Sequence, residues 1–231
     1  MGVVELDENN TIYNTVEGTN KVYLHRTLKS NYWNTFCVPF DMTAAQIREC
    51  GIVRAKILTD IYTSDNHTVL KFSDAKTLEA GKPYIVKTEQ EQDILVLDQA
   101  EFKANIPGTV ECGELTMYGN YASTFVPQDD YFIRNNMFYI ADKSEYVALK
   151  GFRAAISLHT ANLVNSLLID IDGQVVEIEK VLGTSPTSFV DVYALNGMRL
   201  KTNIPQATAL QGLPKGVYIV NGQKMVKSGK D

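Results

Sequence analysis

The feature that most constrains this chain is its punctuation. Asp65-Asn66, Ala80-Gly81-Lys82-Pro83, Pro107-Gly108 and Asn135-Asn136 are turn chemistry, and they cut the sequence into short apolar runs at close spacing. The runs Ile52–Tyr62, His67–Phe72, Tyr84–Lys87, Ile94–Leu97, Leu115–Tyr121, Tyr131–Arg134, Met137–Ile140 and Phe152–Leu158 have strand length and strand composition. Helical periodicity is nearly absent. The exception is Thr43 to Glu49, where Thr43 and Gln46 have capping-box spacing and Gly51 stands where a helix would stop. Such a chain predicts an antiparallel β-sandwich or a barrel.

Two earlier stretches fit the same frame. In Lys21–Leu28, Val22, Leu24 and Leu28 alternate with Tyr23, His25 and Thr27, the period-2 pattern of a half-buried strand. Tyr32–Asp41, YWNTFCVPFD, packs Trp33, Phe36, Cys37, Val38 and Phe40 into eight positions and reads as a strand buried on both faces. Trp33 is expected to be a buried anchor and Cys37 an inert packed thiol, with Pro39 marking a strand end or a sheet edge.

Composition narrows the function classes. The 231 residues carry 22 basic and 27 acidic side chains, a formal net charge of −5, without a basic stretch of the kind nucleic-acid binding leaves. The lysines near the end, Lys224, Lys227 and Lys230, read as a solvated tail. No run reaches the length of a membrane span. MGVVELDENN lacks the basic and apolar regions of a signal peptide, which fits a cytoplasmic protein or an exported one whose leader has been removed. Cys37, Cys50 and Cys112 are too few and too scattered for a disulfide framework, and free thiols are expected, with a Cys37–Cys50 bridge as the alternative.

Beyond Thr160 come the segments Leu167–Asp172 and Val175–Glu179 about an Asp172-Gly173 turn, then a linker candidate at Gly183–Ser188. Two further hairpins follow, about Asn196-Gly197 and Asn221-Gly222. The tail VDVYALNGMRL … LPKGVYIVNGQKMVK is carried by Val192, Tyr193, Leu195, Asn196, Gly197, Leu213, Pro214, Gly216, Tyr218, Val220, Asn221 and Gly222. It resembles the C-terminal segment of many secreted Bacteroidetes-type proteins, and is similar to the sorting-type domains of exported proteins. The pieces Trp33–Asp41, Glu79–Lys87, Tyr131–Tyr139 and Gly151–Leu158 look like a module common in such proteins, to which no catalytic role attaches. The resemblance implies small β-sandwiches and a place outside the cell or on its surface. It implies no chemistry.

The residues themselves offer little chemistry either. His25, His67 and His159 are far apart and form no HExxH pair, so no metal is expected. A GxSxG elbow is absent. Asp170-Ile171-Asp172-Gly173 begins like a calcium loop but lacks its later ligands. Glu89, Glu91 and Asp93 read as a solvated acidic loop. What stands out is aromatic: Tyr118, Tyr121, Tyr131, Tyr139 and Tyr146 crowd into about thirty residues with Phe132 and Phe138. Tyrosine combines an apolar face with a polar handle, suited to stacking on sugars or to protein contacts, and equally to cross-strand pairing.

The sequence therefore predicts an all-β chain, an antiparallel β-sandwich of immunoglobulin or jelly-roll type over residues 1–160 and a smaller β-sandwich-like domain over 161–231. The expected function is non-enzymatic: adhesion, or binding of a glycan or a host or cell-surface protein, through Tyr118, Tyr121, Tyr131, Tyr139 and Tyr146. A spacer or anchoring module of a surface assembly is the alternative, and a polysaccharide hydrolase a more distant one. Neither catalytic residues, metal, cofactor, nucleic-acid partner nor membrane span is expected.

Overall fold

The computed structural model describes residues 2–64, 67–141, 146–159, 167–171, 174–177, 189–205, 209–220 and 223–227. The expected turns at Asp65-Asn66, Asp172-Gly173 and Asn221-Gly222 and the linker at 183–188 lie outside them, as does Lys230. The chain is all-β, in two compact units, Met1–Gly183 and Thr184–Asp231.

The first unit opens with β1 (Gly2–Asp7), β2 (Gly18–Leu28), the short β3 (Asn34–Phe36) and α1 (Ala44–Glu49). Then come β4 (Ile52–Ser64), β5 (His67–Asp74), β6 (Tyr84–Thr88) and β7 (Gln92–Phe102). Next are β8 (Thr109–Cys112), β9 (Leu115–Asn120), β10 (Thr124–Phe125), β11 (Tyr131–Arg134) and β12 (Met137–Ile140). β13 (Ala148–Leu149), β14 (Arg153–Leu158), β15 (Leu167–Ile171) and β16 (Gln174–Glu177) complete it. The second unit holds β17 (Phe189–Ala194), β18 (Arg199–Pro205), β19 (Gly216–Val220) and β20 (Gln223–Lys227).

The central sheet of the first unit has six strands in the order β16-β15-β5-β4-β6-β3, and its side chains alternate between two cores. Tyr84 and Val86 of β6 join one apolar cluster, whereas Ile85 between them joins the other. The first cluster adds Val22, Leu24, Leu28, Leu95 and Leu97 from the sheet β1-β2-β7. The second adds Leu115, Met117, Tyr131, Phe138 and Ile156 from the sheet β12-β11-β14-β9-β8. Tyr32–Asp41 is not the expected strand buried on both faces: β3 is a three-residue edge strand that ends at Phe36, and Phe36, Cys37, Val38 and Phe40 all enter the first cluster.

Local rules account for much of this. Thr43 caps α1: the Gln46 N–H donates to Thr43 Oγ1 at 3.3 Å and the Thr43 N–H to Gln46 Oε1 at 2.9 Å. Gly51, at φ +73°, takes the left-handed conformation that ends the helix. Asn135 and Asn136 have φ of 52° and 61°, and Arg134 pairs with Met137 across them, so β11 and β12 are joined by the left-handed two-residue turn whose twist matches the strands.

Three further expectations change. The sheets are mixed rather than purely antiparallel, since β1 runs parallel to β2 and β15 parallel to β5. Both pairs are joined by connections far longer than a hairpin loop, which is what parallel pairing requires. The chain divides at 183/184 rather than 160/161: β15 registers with β5 from Leu167↔Thr68 to Ile171↔Phe72, and so covers an edge that β5 would otherwise leave open. Trp33 is half-buried instead of fully buried. It precedes the edge strand β3, packing one side on the second cluster while the other meets Arg54 and Lys87.

In the second unit the four strands order as β18-β17-β19-β20. Val192, Tyr218 and Val220 point to one side, where Ala209, Leu200, Leu210, Leu213 and Met225 cover them. The Asn196-Gly197 turn is present, with Gly197 at φ +81° and the Met198 N–H bonded to Asn196 Oδ1 at 3.1 Å.

Candidate binding surface

Charge is concentrated at one internal point of the first unit. Arg26 lies on β2 facing the core and is fully buried. It donates to Glu8 Oε2 at 3.2 Å, to Phe152 O at 3.2 Å, to Thr27 O at 2.9 Å and to Thr35 O at 2.5 Å. Glu8 also accepts from Arg153 at 2.6 Å and from Lys150 at 3.1 Å. Burial works against the ionised Glu8 carboxyl, but Arg153, Arg26 and Lys150 together outweigh it and hold the group below its ordinary value. Burial lowers Arg26 to about 9, with repulsion from Arg153 adding to it, so the guanidinium remains charged at neutral pH. The cluster joins β2, β3 and the turn before β14.

The five tyrosines separate into core and surface. Tyr121 is buried, its ring against Tyr13 and Phe152 and its hydroxyl bonded to Val38 O at 3.4 Å. Tyr131 is buried in the second apolar cluster, and Tyr139 is buried with its ring stacked on Phe132 at 5.4 Å. Tyr118 is half-buried and donates to Asp130 Oδ2 at 2.6 Å; burial, then this bond, raises its pKa. None of these four presents a free ring face to a ligand. Only Tyr131 faces the second cluster; Tyr118 and Tyr139 lie on the opposite face of that sheet, the one Phe132 occupies, and Tyr121 stands just past the end of β9.

Tyr146 is different. It is 88% exposed, and its ring sits 5.4 Å from that of Phe125, itself 58% exposed, at an interplanar angle of 57°. Phe125 pairs with Ala148 across the ribbon β10–β13, so Tyr146 is its diagonal neighbour on the same face. The ribbon extends by the Val126 N–H to Val147 O bond of 2.9 Å. Its other face is anchored: Val126 and Leu149 are buried with Ala141 and Ala155, and Tyr118, Phe132 and Val147 pack around them. Two adjacent aromatic side chains thus stand outward on a backed support. Phe125 was not singled out by the sequence, because the two-residue β10 is too short to register as a strand; the only signal is an isolated aromatic in Ser123-Thr-Phe-Val-Pro127.

The remaining groups do not converge. His25 Nε2 meets Glu5 Oε2 at 2.6 Å and His159 Nε2 meets Thr116 Oγ1 at 2.8 Å, on separate sheets; the His67 side chain lies outside the described residues. Among the described residues no three His, Cys, Asp or Glu side chains gather at one point. Asp170 accepts from Tyr62 at 3.1 Å, and Asp172-Gly173 is not described. Glu89, Glu91 and Asp93 are exposed, with Thr27 donating to Asp93 at 3.0 Å. The three thiols are free, with Cys37 and Cys50 buried. No described helix is long and apolar enough to cross a membrane. No family model, curated protein or solved structure matches the chain.

Proposed function

We propose that this is a non-enzymatic binding protein of the cell exterior, whose Phe125–Tyr146 pair is a stacking platform for the sugar rings of a glycan. The observation that carries the proposal is the exposure of two adjacent aromatic rings on a ribbon whose opposite face is buried. Adjacent exposed apolar side chains that form a contiguous patch are surface suited to contact, and the apolar faces of pyranose rings complement aromatic faces. A sugar covering about 100 Å² of apolar surface there gains about 2.5 kcal/mol. That corresponds to weak single-site binding, made useful by repeated sugars along a chain.

In this proposal the central sheet and the sheet β12-β11-β14-β9-β8 are the two layers of a β-sandwich, with β1-β2-β7 laid over the outer face. Residues 184–231 are a sorting or attachment module, as the resemblance of Val192–Gly197 and Leu213–Gly222 to exported proteins suggests. The test of the platform is retention on immobilised polysaccharides and on a glycan array. Wild-type protein is retained, and the Phe125→Ala/Tyr146→Ala variant is not, with unchanged melting temperature. Failure of the wild type to bind any glycan, or binding indifferent to the double substitution, refutes the platform. Fractionation of cells expressing the chain with and without residues 184–231 tests the module separately, and unchanged location of the shortened protein removes it.

A further inference from the structure

Three cations meet one carboxylate at Glu8. Arg26 Nη1 and Arg153 Nη2 both donate to Glu8 Oε2, at 3.2 and 2.6 Å, and Lys150 Nζ donates to Oε1 at 3.1 Å. The Glu8 side chain is 4% exposed and that of Arg26 not at all, whereas Lys150 is 47% and Arg153 26% exposed. The cluster thus has a closed side, made by Arg26, and an open side on which Lys150 and Arg153 bracket the carboxylate, one on each oxygen.

Donors and acceptors do not balance on the open side. Arg26 is met by Phe152 O, Thr27 O and Thr35 O besides Glu8. Arg153 bonds through its side chain at Nη2 alone: its Nε is buried without an acceptor, and its Nη1, which is not buried, bonds no described residue. Lys150 Nζ has Glu8 as its one hydrogen-bond partner among the described residues. Asp7, one residue before Glu8, acts on Lys150 through space but makes no ion pair with it, and accepts instead from the Asn9 N–H and Nδ2, each at 2.8 Å. Within the bonded cluster one negative charge faces three positive ones, an excess of two. Buried donors in folded proteins are paired, and a leftover one on a charged group marks a place where water or an ion is held.

We infer that Lys150 and Arg153 bind a dianionic oxyanion, phosphate or sulfate, as a free ion or carried on a ligand. One dianion cancels the excess charge of the cluster and takes charge-assisted hydrogen bonds from Lys150 Nζ and Arg153 Nη1. Arg26 adds attraction from behind without touching it, screened less than a surface charge because it is buried. A monovalent anion leaves one of the two charges unmet. A nucleic-acid backbone needs a long basic track, which a chain of net charge −5 with one local excess does not offer. The site is distinct from the Phe125–Tyr146 platform and does not rest on it.

The full chain is titrated with inorganic phosphate, sulfate, acetate and chloride at fixed ionic strength, and the melting temperature is followed. Phosphate or sulfate raises it saturably, with a midpoint on the order of millimolar. Acetate and chloride do not. General salting by sulfate also stabilises proteins, but it grows without saturating and does not depend on one lysine. Each variant is read against its own anion-free melt. Lys150→Ala weakens the midpoint about fivefold, and Lys150→Arg restores it. Lys103→Ala, an exposed lysine paired with the exposed Asp41 and Glu101, leaves it unchanged. Glucose 6-phosphate in the same titration separates the sources: a lower midpoint than inorganic phosphate assigns a carried group, an equal or higher one the free ion. Phe125→Ala/Tyr146→Ala leaves the anion response intact even if glycan retention on the platform is lost. The inference is overturned if neither dianion gives a saturable rise, if Lys150→Ala titrates like wild type, or if acetate or chloride is as effective.

Discussion

Gly119 of β9 lies against Cys37: a Cβ added at Gly119 would come within 2.2 Å of Cys37 Sγ and 2.8 Å of its Cβ. Both atoms belong to a fully buried residue whose thiol donates to Gly81 O at 3.1 Å, so neither can swing aside. The close approach seats β9 against the segment that follows β3 at a point where no side chain fits.

Gly119→Ala therefore destabilises the first unit by about 2–3 kcal/mol through overpacking. In a Cys37→Ala background the same substitution costs less, because the Sγ contact is gone, although the Cβ contact persists. A denaturant double-mutant cycle measures the coupling, and strict additivity would contradict the packing described here.

Removing the carboxylate of Glu8 leaves Arg26 and Arg153 without their shared counter-charge inside the protein. Glu8→Gln costs about 3–5 kcal/mol of stability. Exposed control substitutions such as Glu101→Gln, whose partner Lys103 is also exposed, shift the denaturation midpoint little. Equal effects from the two variants would deny the buried cluster its role.

The same carboxyl sets an acid limit. Its pKa in the folded protein lies below the ordinary 4.5, so the folded state binds its proton less readily than the unfolded state does. The stability it contributes is fully present above the unfolded pKa and is lost as pH falls through the lower, folded value. A carboxyl NMR titration gives a Glu8 midpoint under 4.5, and a midpoint above that value would reverse the sign.

Thiol titration distinguishes the cysteines. Burial raises the pKa of all three, taking Cys50 to about 12 and Cys37 higher, and only Cys112 is partly exposed. An aromatic disulfide reagent modifies one thiol slowly in the native protein at pH 8 and all three after denaturation. Two reactive native thiols would place Cys50 or Cys37 at the surface.

At the β11–β12 turn, Asn136 combines a φ of 61° with the bond to the Trp33 N–H. Asn136→Gly loses only the bond, whereas Asn136→Ala loses the bond and strains the backbone, at a further cost of about 1 kcal/mol or more. Thermal melts of the two variants should fall in that order, Ala below Gly.

What could be read from residues alone follows from the range of the forces. The Thr43–Gln46 cap, the Asn135-Asn136 turn and the alternation of Val22, Leu24 and Leu28 are set within a few residues, and local chemistry is enough to find them. Arg26 falls on the same face as those three but is charged, so no local rule places it inward; only Glu8, Thr35 and Phe152, distant in sequence, make its burial tolerable. The parallel pairing of β15 with β5 likewise depends on partners far apart. At the surface, tyrosine content singled out five residues, but which face of its strand each occupies is decided by the opposing sheet. Tyr146 emerged exposed and Tyr121, Tyr131 and Tyr139 did not.

The hydrogen bonds of Arg26 have a consequence for cooperativity. A guanidinium joined at once to a carboxylate before β2, to β3 and to the turn before β14 cannot lose one of these partners without leaving charge or donors unpaired in apolar surroundings. Peeling away a single layer is thus penalised at this one side chain. The first unit melts in one step, and partially open forms that expose its long strands to neighbouring molecules stay sparsely populated.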